Sequence, residues 1–370
     1  MTDTHAKQAN ELLHFSSDYM EGAHPTILNA LVRTNMESTS GYGTDPYCAH
    51  AARAILDACA CPHGEVRFLL GGTQTNTLVI DALLAPWQGV ISAATGHVNV
   101  HEAGSIEAGG HKVISLEHNR GKISAAAIKK TIEAWEQDDN REHMVQPALV
   151  YLSQPTEYGT LYSKAELESI ADICTSHKVK LFVDGARLAY ALAAPQNDVS
   201  LADLARLTDV FYIGGTKCGL LFGEAVVFTK KNMVPGLTPL IKQHGGLLAK
   251  GRLLGVQFGE LFTHNLYEQI GKTALICAAR IKERLIQKGF DLYIDSPTNQ
   301  VFFIATDAQL AWLKHRVAYG FMERLDARRS VVRFATCWST TQEDTDKLLD
   351  VIDQMAELEE LEELELSDTK

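Results

Sequence analysis

The sequence predicts an α/β protein built around a mostly parallel β-sheet, and two observations carry this prediction. Short runs rich in β-branched and aromatic residues recur between residues 66 and 230, and segments with helical spacing of apolar residues separate them. Alternating strands and helices are typical of parallel sheets whose faces are covered by helices. The runs predicted to be strands are VRFLL, GVISAA, HKVISL, ALVYLSQ, KLFVDG, VFYIGG and AVVFTK.

The order of these elements predicts three parts along the chain. Residues 1–44 are predicted to form an N-terminal arm, and residues 45–252 a large domain that contains the sheet. Residues 253–370 are predicted to form a small α+β domain that ends in an acidic helical tail. A long helical stretch from about Leu253 to Lys288 opens this last part.

Composition narrows the classes of function. The 370 residues carry a formal net charge of −12, which disfavours binding to nucleic acids and to anionic membranes. No apolar run approaches the roughly 20 residues of a membrane span, and the polar beginning of the chain is unlike a secretory signal. We therefore expect a cytoplasmic protein whose seven cysteines are reduced thiols.

Ligands of open parallel sheets bind at the carboxyl ends of the strands, so we expect functional residues in the loops that follow the predicted strands. The first such loop contains Gly72, Thr73 and Gln74 and leads into a helix. Free backbone N–H groups and a hydroxyl at a helix N-terminus suit a phosphate. The alternative is a tight turn in which Thr73 caps the helix.

Two further loops place an acid and an amine at the ends of predicted strands. Asp184 directly follows the apolar run LFV, and Arg187 comes three residues later. Lys217 lies in a glycine-rich turn after VFYIGG, where partial burial would lower the pKa of its amine and suit reaction with carbonyl compounds. The alternatives are a local Asp184–Arg187 salt bridge and an ordinary surface lysine.

A fourth segment, TGHVNVHEAGS, supplies His97 and His101. An imidazole there is suited to lie over a heteroaromatic ring, to bind a metal or to hold the structure. The segment lacks the HExxH order and an obvious third ligand, so no metal site is predicted.

The motifs GGTQTN, GHVNVHEAGS, LFVDGAR and GGTKCGLLFGE together resemble the threonine aldolase and β-eliminating lyase branch of the fold-type I pyridoxal-phosphate enzymes. The resemblance extends from about Phe15 to the end of the small domain. It implies a large domain with a mostly parallel seven-stranded sheet, a smaller C-terminal α+β domain and pyridoxal 5'-phosphate as the cofactor. It also implies a homodimer or homotetramer whose site is built at the subunit interface.

The same resemblance implies roles for individual residues. Lys217 would bind the cofactor as a Schiff base, Asp184 would pair with the pyridine nitrogen, and His97 would stack on the ring. The phosphate would be held by Gly72, Thr73 and Gln74, with Arg187 and Thr216 beside the cofactor and Lys242 or Lys250 reaching the site of a neighbouring subunit.

Substrate binding is also implied by the resemblance. Arg333 would clamp the substrate carboxylate, with Ser17, Tyr42 and Arg187 as further contacts, and Asp45 belongs to the same YG-DP element as Tyr42. The alternatives are a surface arginine at position 333 and a helix-capping serine at position 17.

One segment departs from the family pattern. Aldolases of this family commonly have ENTHNG where this chain reads SQPTEYG, so Glu157 replaces a histidine. A carboxylate can accept the β-hydroxyl proton of a β-hydroxy-α-amino acid, so retro-aldol cleavage to glycine and an aldehyde is predicted, with an L-threonine or L-allo-threonine type of substrate. The alternatives are that Glu157 pairs with a nearby cation, that the enzyme is a β-eliminating lyase or another amino-acid enzyme, and that the chain is a non-catalytic scaffold.

Overall fold

The computed structural model describes residues 12–367, with side chains described as far as residue 357. These residues form two compact units: Gly22–Gln269, and the residues up to Glu21 together with those from Ile270 onwards. The predicted division at residues 44 and 252 differs from these bounds. Both predicted boundaries fall inside the larger unit, because the helix Arg252–Leu261 packs against the helices Pro25–Arg33 and Pro46–Ala58.

The strands alternate with helices through the larger unit, as the sequence predicts. In chain order the strands are β1 (Leu13–His14), β2 (Glu65–Leu69), β3 (Gln88–Ala93), β4 (Lys112–Leu116), β5 (Gln146–Ser153), β6 (Lys180–Asp184), β7 (Val210–Gly214), β8 (Glu224–Phe228), β9 (Leu292–Ile294), β10 (Gln300–Thr306), β11 (Val317–Ala318), β12 (Gly320–Arg324) and β13 (Arg329–Ala335).

The helices cover the faces of the sheets. In chain order they are α1 (Pro25–Arg33), α2 (Pro46–Ala58), α3 (Gly72–Leu83), α4 (His97–Val100), α5 (Ser105–Ala108), α6 (Ala125–Glu136), α7 (Lys164–Ser176), α8 (Leu188–Ala193), α9 (Leu201–Leu207), α10 (Leu237–Gln243), α11 (Arg252–Leu261), α12 (Leu266–Gln287), α13 (Asp307–Leu313) and α14 (Gln342–Ser367).

The larger unit contains a seven-stranded sheet of order β2-β8-β7-β6-β5-β3-β4. The neighbouring strands from β4 to β7 run parallel, whereas β8 is antiparallel to both of its neighbours. The predicted α/β fold with a mostly parallel seven-stranded sheet is confirmed. Because the carboxyl ends of parallel strands share one edge of a sheet, the ends of β5, β6 and β7 lie side by side.

The strand register at that edge sets which polar residues lie next to each other. Ser153, the last residue of β5, lies opposite Asp184, the last residue of β6. Gly214 at the end of β7 lies opposite Glu224 at the beginning of β8. Apolar side chains below these positions fill the core of the larger unit, among them Leu149 and Phe182. The polar residues at the strand ends are therefore held by a buried, rigid scaffold.

The smaller unit contains an antiparallel sheet of order β12-β13-β10-β9, which confirms the predicted smaller α+β region. Aromatic side chains fill its core: the ring centroids of Phe303 and Phe334 are 4.9 Å apart, and Phe15 meets Phe334 edge-on at 6.2 Å. Burying such a side chain contributes about 1.5–3 kcal/mol. The predicted helical stretch from Leu253 to Lys288 is two helices, because His264 and Asn265 adopt left-handed backbone angles between α11 and α12.

Two findings bear on the class of protein. All seven cysteines are buried free thiols. Among the described helices, none combines the length and the apolar character that crossing a membrane requires.

Candidate active site

A pocket opens at the carboxyl edge of the large sheet, with a volume of about 400 Å³ that includes the part open to solvent. Six of its lining residues lie far apart in the sequence and were predicted to act in the site: Gly72, His97, Glu157, Asp184, Arg187 and Lys217. The other lining residues are Asn76, Ser153, Pro155, Thr156, Ala186 and Tyr212.

Asp184 lies at the base of this pocket and is 5% exposed. The hydroxyls of Tyr151 and Tyr212 each donate to it at 2.6 Å, the Ala186 N–H donates at 2.9 Å, and Asn76 Nδ2 donates at 3.1 Å. Burial by itself would raise the pKa of Asp184, but the two tyrosine hydroxyls and the charge of His97 hold it below its ordinary value. Asp184 is therefore an anion in a buried site.

Asn76 links Asp184 to a second buried carboxyl group. Its Nδ2 also donates to Glu102 Oε1 at 2.7 Å, and the same Glu102 oxygen lies 2.8 Å from His97 Nδ1. The ring of His97 is thereby oriented by Glu102, five residues later in the chain. The ring centroid of His101 lies 5.6 Å from that of His97, and His101 is absent from the pocket lining. Of the two histidines, the structure brings His97 to the other predicted site residues.

Glu157 lies in the loop after β5 and lines the same pocket as Asp184. Its Oε1 accepts a hydrogen bond from Ser153 Oγ at 2.7 Å and from the His97 N–H at 2.8 Å. Burial of the carboxyl group raises the pKa of Glu157 above its ordinary value, and the hydrogen bonds from Ser153, from its own N–H and from the His97 N–H offset only part of that effect. Glu157 is thus suited to exchange a proton, as a general acid or base must.

Lys217 lies in the loop of residues 215–223 that joins β7 to β8. The Tyr190 hydroxyl donates to the Lys217 carbonyl at 2.6 Å, and the Gly223 N–H donates to Thr216 Oγ1 at 3.0 Å. A Cβ atom on Gly215 would lie 2.7 Å from the Gly223 carbonyl oxygen, so the close approach requires glycine. These contacts fix the backbone on both sides of the lysine.

Glu224 closes this loop at its base, where its Oε2 accepts from the Gly215 N–H at 3.1 Å. Burial raises the pKa of Glu224 to about 8, although the Thr216 hydroxyl and the charge of Lys217 act in the opposite direction. Thr216 was predicted to bind the cofactor. Its hydroxyl oxygen accepts a hydrogen bond within the loop, from the Gly223 N–H, and its role towards a cofactor stays a prediction.

The predicted phosphate loop leads into α3, which begins at Gly72 after the N-cap residue Gly71. Thr73 is inside the first turn, so the alternative in which Thr73 caps the helix is wrong. The first-turn N–H groups have no acceptors within a helix and are available to an anion. The side chain of Gln74 accepts from the Leu70 N–H at 3.1 Å and donates to the His244 carbonyl at 3.0 Å, so it ties the loop to the end of α10.

Two predicted substrate residues belong to the smaller unit. Arg333 Nη1 donates to Gln300 Oε1 at 2.7 Å and Nη2 donates to the Ser16 carbonyl at 3.1 Å, so its guanidinium is held in place. Ser17 is buried, and its Oγ has no hydrogen-bond partner among the residues that the structure describes. Arg333 is thus more than a loose surface arginine; the role of both residues towards a substrate stays a prediction.

Tyr42 and Lys242 lie together, outside the pocket of Lys217. Lys242 Nζ lies 4.9 Å from the centroid of the Tyr42 ring, and Tyr42 lines a second cavity of about 650 Å³, including its open part. Asp45 caps α2 by accepting from the Cys48 N–H at 2.9 Å. The structure therefore does not bring Tyr42 and Lys242 to the other predicted site residues of this chain.

The sequence analysis assigned no role in the site to three residues of the pocket, Asn76, Ser153 and Tyr212, or to two that hydrogen-bond to pocket residues, Glu102 and Tyr151. Patterns that could have found them exist. Asn76 follows Gly72 by four residues and so shares its helix face. Tyr151 and Ser153 alternate along β5 and so share a sheet face at the level of Asp184. The polar residues that alternate at the end of β5 therefore indicate side chains close to Asp184 on the neighbouring strand.

Curated relatives extend over most of the chain. A low specificity L-threonine aldolase of Pseudomonas aeruginosa is 28% identical over 335 residues, which is 89% of this chain and 94% of that protein. A second low specificity L-threonine aldolase, from another Pseudomonas strain, is 27% identical over 334 residues, which is 89% of this chain and 93% of that protein.

Solved structures and a family model give the same assignment. The structure of Leishmania major threonine aldolase is 42% identical, with a TM-score of 0.89, 93% of this chain and 99% of that chain covered. The aspartate aminotransferase of Thermus thermophilus, 14% identical with a TM-score of 0.69, shares the fold. The model of the beta-eliminating lyase family matches residues 14–347. With its predicted fold and pocket in place, this chain belongs to the beta-eliminating lyase family, and within it to the relatives of threonine aldolase.

Proposed function

We propose that this chain is a pyridoxal-phosphate-dependent aldolase that cleaves a β-hydroxy-α-amino acid, of the L-threonine or L-allo-threonine type, to glycine and an aldehyde. The observation that carries the proposal is that one pocket contains an amine, Lys217, an ionised acid, Asp184, and a second acid suited to proton exchange, Glu157. The threonine aldolases among the relatives support the same reaction.

The residues present fit the cofactor. Asp184 is an anion at the base of a pocket, which suits a protonated pyridine nitrogen. A Cβ atom on Gly72 would lie 3.3 Å from the Tyr212 hydroxyl, so glycine keeps the wall beside Asp184 open at the start of α3. Lys217 would hold the cofactor through its amine, and Gly72, Thr73 and Gln74 would hold the phosphate. When bound, the cofactor supplies an electron sink for negative charge at the substrate Cα.

Residues of the protein balance charge, orient the ring of His97 and accept the substrate proton. Asp184 keeps its negative charge because its donors stabilise it, and His97 is oriented by Glu102. Glu157 accepts the proton of the substrate β-hydroxyl; the oxygen's electron pair then forms the aldehyde C=O, and the Cα–Cβ bond breaks with its electrons left on Cα. Cα then takes up one proton, which balances the proton that Glu157 accepted, and glycine is complete. The cleavage needs no oxidant or reductant.

The substrate carboxylate is assigned to Arg333. A guanidinium binds a carboxylate through two parallel hydrogen bonds, and Gln300 and the Ser16 carbonyl hold this one in a fixed orientation. The buried Ser17 hydroxyl is a second candidate donor.

The assay that tests the proposal follows the products from L-threonine, L-allo-threonine, β-phenylserine and L-serine. We expect glycine with the matching aldehyde from the substrates that carry a cleavable β-hydroxyl, and no visible absorbance and no turnover in Lys217→Ala. Ammonia and a keto acid in place of glycine would assign the chain to β-elimination. A colourless wild-type protein without turnover would assign it to a scaffold.

We infer further that the enzyme is a cytoplasmic homodimer or homotetramer. Lys242 and Tyr42 lie outside the pocket of their own chain, which supports a role for them at the site of a neighbouring subunit. Light scattering measures the mass directly. If the inference is right, Lys242→Ala weakens cofactor binding; a monomer with full activity would contradict it.

A further inference from the structure

Ser153 occupies a position between the two acids of the pocket. It is the last residue of β5 and lies opposite Asp184 on β6. Its Oγ is 2.7 Å from Glu157 Oε1 and 3.3 Å from the Tyr151 hydroxyl oxygen, which is itself 2.6 Å from Asp184 Oδ2. The three contacts form an unbroken path from Glu157 to Asp184.

The hydroxyl hydrogens along this path can take two arrangements. An ionised carboxylate only accepts, so the Tyr151 hydrogen points to Asp184. A serine hydroxyl has one hydrogen and can also accept. When Glu157 is ionised, the Ser153 hydrogen must point to Glu157, and no hydrogen lies between Ser153 and Tyr151. When Glu157 is protonated, it can donate to Ser153 Oγ, and the Ser153 hydrogen is then free to point to Tyr151.

We propose that Ser153 is a positioning residue that reports the protonation state of Glu157 to the Tyr151–Asp184 pair by turning its hydroxyl from one acid to the other. No proton leaves Ser153; only its O–H bond rotates. We call this coupling of Glu157 to the Tyr151–Asp184 pair through Ser153 the relay. The inference rests on the proposed function, because it takes Glu157 as the acceptor of the substrate's hydroxyl proton. It also adds a step to that function. When Glu157 takes up a proton, Ser153 donates a new hydrogen bond to the Tyr151 hydroxyl. This bond strengthens the hydrogen bond from Tyr151 to Asp184 while negative charge develops at the substrate Cα.

The surroundings of Glu157 make a neutral donor important. The negative charge of Asp184 disfavours ionisation of Glu157, and the hydrogen-bond donors to its carboxylate are the Ser153 hydroxyl, its own backbone N–H and the His97 N–H. Of these only Ser153 can reverse its direction. The titratable groups that face Glu157 from the surrounding elements are His97 on α4, Tyr151 on β5, Tyr162 in the loop before α7, Asp184 on β6, and Arg187 and Lys217, which line the same pocket.

The first measurement is the pH dependence of kcat/KM in Ser153→Ala. Removing a hydrogen bond to an ionised group disfavours the anion, so we expect the acid-side inflection to move up by about one pH unit. Ser153→Thr keeps the hydroxyl and should restore the wild-type inflection. Ser169→Ala on the exposed side of α7, whose hydroxyl only donates to the Ala165 carbonyl, is the matched control and should leave the profile unchanged.

The second measurement is a pH titration of the visible absorbance of the bound cofactor, without substrate. Wild type and Ser169→Ala should show a step at the inflection of Glu157, and this step should be absent in both Glu157→Gln and Ser153→Ala. A step that persists in Ser153→Ala would show that the two acids interact directly through space, and would overturn the relay. An unshifted kcat/KM profile in Ser153→Ala would overturn it as well.

These outcomes separate the relay from the proposed function. If wild type releases no glycine but the absorbance step depends on Ser153, the relay stands and the aldolase assignment fails. If glycine is released and neither measurement responds to Ser153→Ala, the aldolase assignment stands and the relay fails.

Discussion

Asp184, which is buried, and Glu157, which is partly buried, are two acids at the same edge of one sheet, and their pKa values move in opposite directions. Burial raises the pKa of both. Asp184 receives hydrogen bonds from two tyrosine hydroxyls, an asparagine and a backbone N–H, whereas Glu157 receives them from one serine and two backbone N–H groups. The two tyrosine hydroxyls and the charge of His97 therefore keep Asp184 ionised, whereas burial and the negative charge of Asp184 raise the pKa of Glu157 and let it exchange a proton.

This difference matches the two roles in the proposed reaction. A partner for a protonated ring nitrogen must stay negative throughout, and a group that accepts the substrate proton must change charge. Predictions that alter one acid and spare the other test whether the two roles are separate.

The largest effect is expected from Glu157→Gln. The amide keeps an oxygen for the Ser153 hydroxyl and the His97 N–H but cannot take up a proton, so kcat should fall by roughly 10²–10⁴-fold. The visible absorbance of the cofactor should remain, because Asp184 and Lys217 are untouched. Steady-state kinetics checks this, with Glu168→Gln, which loses only a surface pair with Arg206, as the control. Full activity in Glu157→Gln would remove Glu157 from the mechanism.

Asp184→Asn should have the next largest effect. An amide cannot balance a positive charge, and its NH2 group faces hydroxyls that donate, so kcat/KM should fall roughly 10²–10³-fold and the free energy of unfolding by about 1–3 kcal/mol. Absorbance, kinetics and urea unfolding measure the three consequences. Asp209→Asn is the matched control: its carboxylate also accepts a backbone N–H, from Leu181, and pairs with Lys180 outside the pocket, so it should lose stability and keep activity.

A smaller effect is expected from Gly72→Ala. The new methyl group would lie 3.3 Å from the Tyr212 hydroxyl, which donates to Asp184, and moving that hydroxyl by a few tenths of an ångström weakens one of the four donors. Cofactor affinity should fall by about tenfold, the size of one neutral hydrogen bond. Gly71→Ala is the control, because its methyl group meets nothing within 4 Å and its backbone is extended. Equal affinities in the two variants would argue against this contact.

The smallest effect is expected in the pH dependence of stability. Asp184, with its lowered pKa, contributes stability that is present above its ordinary pKa and is lost as pH falls through the lowered value. Glu157, with its raised pKa, binds its proton more tightly when folded, so its contribution is lost as pH rises from its ordinary to its raised pKa. Glu157→Gln should therefore flatten the fall in stability over that range. Urea unfolding of the cofactor-free protein at several pH values measures it; an unchanged slope would contradict the assigned direction.

Much of the fold and part of the site were predictable. Alternating strands and helices predicted the sheet, and the motifs around Asp184 and Lys217 predicted the family, both of which are confirmed. Pocket residues with a motif of their own, such as His97 and Arg187, were identified. Asn76 and Tyr151 were missed because their role depends on contacts with Asp184, which lies 108 and 33 residues away in the sequence.

The sequence by itself determined the order of the elements, the family and the residues at the strand ends, because these follow from hydrophobic periodicity and short local motifs. The tertiary structure alone decided the charge of each acid. Asn76 meets Asp184 across 108 residues, and His97 meets Glu157 across 60. Hydrogen bonds between such distant positions form only when the fold brings helices, loops and strand ends together, and burial and these bonds set the pKa values on which the proposed chemistry depends.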